Sequence, residues 1–217
     1  FHMYATGDLH PHYFENPSIM IYFVFALYRL LSQQAQAFHV ISDFFGWQLL
    51  DPRGDYLVVL AARGISALAG TFTVLIVYKI GRDLFGKKCG IFAASILAVC
   101  LLHVRNSHYT TNDILATFFM TLSVLYSARV LTGGRTANYL LAGFFGGLAV
   151  STKYNVGFFA LALIVAHLGY IRKTHKSESP FSLVRQRSLA IGVLVSILAF
   201  FDGTPYALLD IPAFIAD

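Results

Sequence analysis

Long apolar runs recur along this chain at close to the roughly 20 residues that carry a helix across a hydrocarbon core, and they constrain its fold more than any other feature. Six segments read as spans: 56–80, 89–104, 113–131, 138–151, 154–171 and 188–201. Strand-like alternation is poor in all of them, which argues against an outer-membrane barrel. The fold class expected is therefore all-α, a polytopic integral membrane protein. Composition agrees, with 57% hydrophobic and only 12% charged residues and a mean hydropathy of +0.64; an ordinary soluble domain carries about 25% charged residues. Net charge is +5, but no basic stripe implies nucleic acid. Cys89 and Cys100 fall in one predicted helix, about 16 Å apart by rise and so too far for a disulfide. They are read as packing residues.

The connecting loops set orientation. Lys79, Arg82, Lys87 and Lys88 cluster around the first turn, Arg129 and Arg135 around the third, and Arg172, Lys173, Lys176, Arg185 and Arg187 around the fifth. The loops between them are lightly charged. The positive-inside rule then places 81–88, 132–137 and 172–187 in the cytoplasm, and 105–113, the turn at Lys153 and the tail 202–217 outside. The remaining apolar run, 17–35, breaks this parity, because neither flank carries a basic signature. It is read as a juxtamembrane helix on the outer surface, with Asn16 as cap and Pro17 at its start. Arg63 is expected to snorkel to the outer interface. Glycines 64, 70, 143, 146 and 147, with Ala67, are expected to bring helices close. The organisation expected is one membrane domain, 1–217: an external loop with the juxtamembrane helix to residue 55, six membrane helices over 56–201, and an external segment from 202. The chain reads as a piece of a longer protein.

Chemistry concentrates on the outer side. His103, Arg105, His108, Tyr109 and Asp113 crowd one short loop between two apolar runs, and ionisable groups at the mouth of membrane spans mark functional sites by default. A transporter more often places its polar groups near the midplane, in broken helices. Asp113 opens a helix, where a carboxylate also stabilises the positive end of the dipole. His10, His12 and Glu15 combine imidazoles with a carboxylate, a set that suits zinc or manganese. His12 as a hydrogen-bonding pocket residue is the reading preferred; no metal ligand set is assigned, and a divalent metal stays open.

The run Gly7-Asp8-Leu9-His10-Pro11-His12, continuing through Glu15-Asn16-Pro17-Ser18, resembles the first external loop of lipid-linked-sugar glycosyltransferases. These are the GT-C class, which includes protein O-mannosyltransferases (glycosyltransferase family 39) and aminoarabinose transferases. Ala62-Arg63-Gly64, Gly81-Arg82-Asp83, His103-Val104-Arg105, Ser151-Thr152-Lys153-Tyr154-Asn155 and Thr204-Pro205-Tyr206 with Asp210 resemble later segments in the same order. The resemblance implies a GT-C-like helical bundle and a polyprenyl- or dolichyl-phosphate sugar donor in a cell membrane, with transfer to an acceptor on the non-cytoplasmic face. It also implies a catalytic Asp or Asp-Glu pair in the first external loop, which the family pattern places upstream of Phe1; Asp8 is a poor substitute. Lys153 and Arg105 are the candidate phosphate ligands, and Tyr154 and Asn155 position the headgroup. Asp113 is the candidate catalytic carboxylate, while His12, Glu15, His108 and Tyr109 line the substrate pocket. The competing reading is a transporter or flippase of a polyprenyl-linked substrate.

Overall fold

The computed structural model describes residues 7–12, 17–32, 55–174 and 187–216, and every regular element among them is helical. In chain order these are α1 (Ile19–Ser32), α2 (Asp55–Phe85), α3 (Lys87–Val99), α4 (Leu101–His108), α5 (Asn112–Gly133) and α6 (Thr136–Thr152). A 3-10 turn (Tyr154–Phe159) leads into α7 (Ala160–Thr174), followed by α8 (Arg187–Gly203), α9 (Tyr206–Leu209) and α10 (Ile211–Ala216). Three stretches are long and apolar enough to cross a membrane: Val58–Phe85, Asn112–Gly133 and Tyr154–Thr174. The α3–α4 pair qualifies as a fourth, though bent by 60°. At 17 residues each, α6 and α8 lie at the short end of the spanning range. The 14 described residues of α1 rise about 21 Å.

Large apolar side chains cover the outside of the bundle. Leu68, Phe72, Phe92, Ile96, Val165 and Leu198 are all at least half exposed, an arrangement that water would not tolerate but hydrocarbon does. The molecule is an all-α polytopic membrane protein. Its interior cluster joins Val130 of α5, Tyr139 and Ala142 of α6, Leu163 and Ala166 of α7, and Leu189 of α8. With no hydrophobic drive between helices in lipid, close approach at small residues holds such a bundle together. A β-carbon on Gly143 would lie 2.0 Å from the Gly192 carbonyl oxygen, and one on Gly147 2.2 Å from that of Ser196, so α6 and α8 touch backbone to backbone. The Ser123 hydroxyl donates to the Ala142 carbonyl at 2.8 Å, joining α5 to α6.

Several local expectations are revised. The predicted span 89–104 is two helices, because Cys100 adopts an extended ψ of 114°. What the bend gains is docking onto α2: His103 Nε2 lies 3.1 Å from the Gly70 carbonyl oxygen, and Ser107 fills the space beside Gly70. Cys89 and Cys100 are exposed thiols and not packing residues. Gly64 meets nothing within 4 Å of a β-carbon, so it brings no helix close, and Ala67 is also exposed. Arg63 is exposed on α2, and Ser18 takes the position before α1 with its carbonyl accepting from the Tyr22 N–H at 3.0 Å. Asn16 lies outside the described residues.

Helix polarity then sorts the chain ends. Gly86, at φ 94°, turns α2 into α3, and Gly134, left-handed at φ 57°, closes α5 with its N–H on the Val130 carbonyl. Both turns lie at the end carrying Arg82, Lys87, Lys88, Arg135, Arg172 and Lys173. The opposite end gathers His108, Asp113, Lys153 and the segment after Gly203.

Candidate functional site

The helices place one ion pair at this second end. Lys153, extended at the C-terminus of α6, directs its Nζ onto Oδ1 of Asp113 in the first turn of α5. Forty residues separate the partners in sequence. Antiparallel α5 and α6 bring the start of one beside the finish of the other, and the Asp113 carboxylate also faces the positive end of its own helix. Lys153 is 35% and Asp113 43% exposed, so the pair stands at the surface of the bundle, open to an incoming ligand.

An apolar groove of about 310 Å³ runs between α1, α2 and α5, lined among others by Ile19, Phe23, Phe72, Leu115, Phe119 and Thr152. Leu115 lies two residues beyond Asp113, and Thr152 immediately precedes Lys153. Such walls suit a hydrocarbon chain. The Lys153 backbone is fixed from behind. Ser151 and Thr204 hydroxyls meet at 2.9 Å in a fully buried contact, and Gly203 packs on Ser151 so closely that a β-carbon there would sit 2.1 Å from its Oγ. The Tyr154 ring lies between Phe200 and Phe214, at centroid distances of 6.4 and 6.2 Å.

A second constellation caps the same end. Asp8 accepts from the His10 N–H at 2.9 Å and meets His12 Nε2 at 2.9 Å, while His10 Nε2 reaches Oδ2 of Asp210 at 3.0 Å. The His10 ring also stands edge-on to Tyr206, 4.5 Å between centroids. The backbone of His12 takes φ 50°, which aims its imidazole back over Asp8. These two contacts hold the Asp8 carboxyl below the usual carboxylate range, the His12 ring contributing most.

The structure thus joins Asp113 to Lys153, with Tyr154 adjacent, and leaves the other expected site residues apart. Arg105 is exposed in the last turn of α4, with no carboxylate partner among the described residues. His108 turns its Nδ1 back onto the Val104 carbonyl at 2.7 Å. With His103 and Ser107 it borders a separate groove of about 360 Å³ between α2 and the bent α3–α4 pair. Tyr109 and Asn155 are exposed, and Glu15 lies outside the described residues. His12 is an exposed partner of Asp8. Among the described residues no group of three His, Cys, Asp or Glu side chains is placed to hold a metal ion. The His10–Asp210 contact, 200 residues apart in sequence, was the link that sequence alone did not offer; its only sign was two polar motifs assigned to the same side.

Fold and site together define a polytopic all-α membrane protein with an exposed lysine–carboxylate pair and an apolar groove among its helices. A family model for dolichyl-phosphate-mannose-protein mannosyltransferases matches residues 57–200, and the chain belongs to that family. It is also similar to an uncharacterized protein of Aquifex aeolicus (strain VF5), with 31% identity over 107 residues. That match covers 49% of this chain and 21% of the relative. No solved structure matches.

Proposed function

We propose that this chain is part of a membrane glycosyltransferase that moves a hexose of the mannose type from a polyprenyl- or dolichyl-phosphate donor to an acceptor on the non-cytoplasmic face. The observation that carries this reading is the exposed Lys153–Asp113 pair, held between α5 and α6, two helices that also contribute to the wall of an apolar groove. The groove takes the isoprenoid tail and Lys153 the phosphate, whose charge must be stabilised as it leaves the sugar. In transfer, the bond from the anomeric carbon to the phosphate oxygen breaks while the acceptor oxygen bonds that carbon, and the acceptor's proton passes to a carboxylate. Phosphate binding draws Lys153 from Asp113 and frees that carboxylate beside the reacting centre. Family membership favours transfer over transport.

The test is to supply the full-length protein, reconstituted in liposomes, with labelled polyprenyl-phosphate mannose or with GDP-mannose. Label is expected in the acceptor fraction from the lipid-linked donor alone. Transfer from the nucleotide sugar alone, or lipid donor moved across the bilayer without hydrolysis or transfer, defeats the proposal.

A further inference from the structure

Several hydroxyls within the bundle are satisfied on their own helix. Ser66, Thr73, Ser127 and Thr152 each donate to the carbonyl four residues back, a partner at hand for serine or threonine in any helix. Ser151 meets a different one. Its Oγ lies 2.9 Å from Oγ1 of Thr204, at the junction of α8 and α9, and both side chains are fully buried. A single hydroxyl contact between membrane helices adds little stability, so the consequence of this one lies in what it places.

It places the end of α6. A β-carbon on Gly203 would overlap Ser151 Oγ and lie 3.1 Å from Ile19 Cδ1, so the last turns of α6 and α8 and the first turn of α1 converge at Ser151. Two residues on, the Lys153 N–H closes α6 on the Ala149 carbonyl at 3.0 Å. The Lys153 backbone is then extended, at φ −158° and ψ 119°, and its side chain meets Asp113. Thr204 is itself held, its N–H donating to the Phe200 carbonyl at 2.9 Å and its carbonyl accepting from the Ala207 N–H at 3.2 Å. Lysine carries its charge on a flexible four-carbon stem, so the region its ammonium group can reach is set by where the backbone is fixed.

We propose that Thr204 is a positioning residue for Lys153: through its hydrogen bond to Ser151 it fixes the end of α6 from which the lysine side chain reaches its anionic ligand. This rests on the reading of Lys153 as the phosphate ligand. Thr204 acts through Ser151 and needs no contact with the ligand. Without its hydroxyl the ammonium group is still present but less well placed, and a displacement of about 1 Å is enough to weaken a contact that depends on geometry.

Thr204→Val keeps the size and branching of the side chain and removes the hydroxyl. Binding of farnesyl phosphate to the detergent-solubilised full-length protein, with farnesol as the uncharged control, is measured for Thr204→Val, Lys153→Gln and the two combined. Thr204→Val is expected to weaken farnesyl phosphate about threefold to tenfold, to leave farnesol unchanged, and to have no further effect in the Lys153→Gln background. Thr204→Ser, which restores the hydroxyl, is expected to bind like wild type. Ser151→Ala removes the same hydrogen bond from the other side and should give the same loss; it carries the test if Thr204→Val does not fold. If Lys153→Gln weakens farnesyl phosphate while Thr204→Val and Ser151→Ala bind like wild type, this inference falls and the role of Lys153 stands. A loss that persists in the Lys153→Gln background, or that farnesol shares, overturns the inference too, since the hydroxyl then acts through packing. If Lys153→Gln itself binds like wild type, the underlying reading falls and this inference with it.

Discussion

Lys153 and Asp113 are each more than a third exposed, so as a structural contact their pair contributes about 0–1 kcal/mol. A charge-assisted bond from Lys153 to a phosphate, partly desolvated, contributes about 1.5–3 kcal/mol. The two magnitudes separate a stabilising role from a binding one. Lys153→Gln should weaken a polyprenyl-phosphate sugar by about tenfold to a hundredfold while shifting unfolding little. Lys153→Arg should keep part of the affinity, because a phosphate accepts either cation in different geometry. Binding measured in detergent, against a neutral polyprenol, checks both. Asp113→Asn keeps the shape of the side chain and removes its charge. In the full-length protein it should cut sugar transfer far more than the one kcal/mol that loss of a helix-end charge explains, with helical content by circular dichroism unchanged. Sequence reading singled out both residues, one as an ionisable group at a span mouth and one through a motif. Their contact was not legible, since nothing local ties two positions forty residues apart; only the antiparallel packing of α5 and α6 does. Arg105 shows the converse: a cation close to Asp113 in sequence that forms no ion pair with it and stands exposed in the last turn of the short helix α4.

Among the elements, the spanning helices were legible because uninterrupted apolar sequence in a bilayer leaves the backbone no partner but itself. The break at Cys100 was not, because the contacts that accompany it, from His103 and Ser107, are made to Gly70 on another helix. The same distinction sorts the glycines, which look alike in sequence. Gly147 sits where a β-carbon would meet the Ser196 carbonyl at 2.2 Å and Ala199 Cβ at 2.8 Å, whereas Gly64 meets nothing within 4 Å. Gly147→Leu should therefore push α6 from α8 and destabilise by about 1–3 kcal/mol or more. Gly64→Ala should be neutral or stabilise by up to about 1 kcal/mol, through helix propensity alone. Thermal unfolding of the two variants in one detergent gives the comparison, and similar losses for both would contradict the packing described.

For the molecule as a whole, the expected orientation puts Gly86 in the cytoplasm and Asn106 and Gly203 outside. Cysteines introduced singly at Gly86, at Asn106 and at the exposed Leu209 of the same outer segment, after replacing the exposed thiols of Cys89 and Cys100, should label from outside intact cells at 106 and 209 and be protected at 86. The polar cap at the Asp113 end should also respond to acid. Asp8 has its folded-state carboxyl lowered by His12 and His10, so its contribution to order is present above the unfolded carboxylate range. That contribution is lost as pH falls through the lower folded value. Carboxyl ¹³C titration should show a lower midpoint for Asp8 in the protein than in a peptide of residues 7–12, and His12→Ala should raise it.

The bridge from His10 to Asp210 has a consequence for the order of events during biosynthesis. Its two halves leave the ribosome 200 residues apart, so at roughly 5–20 residues per second the first waits about 10–40 s for the second. The helices between them must already be inserted and packed when it closes. Closure is therefore a late step, and a nascent chain arrested before α9 should show segment 7–12 still open to protease while α2 and α3 are already paired.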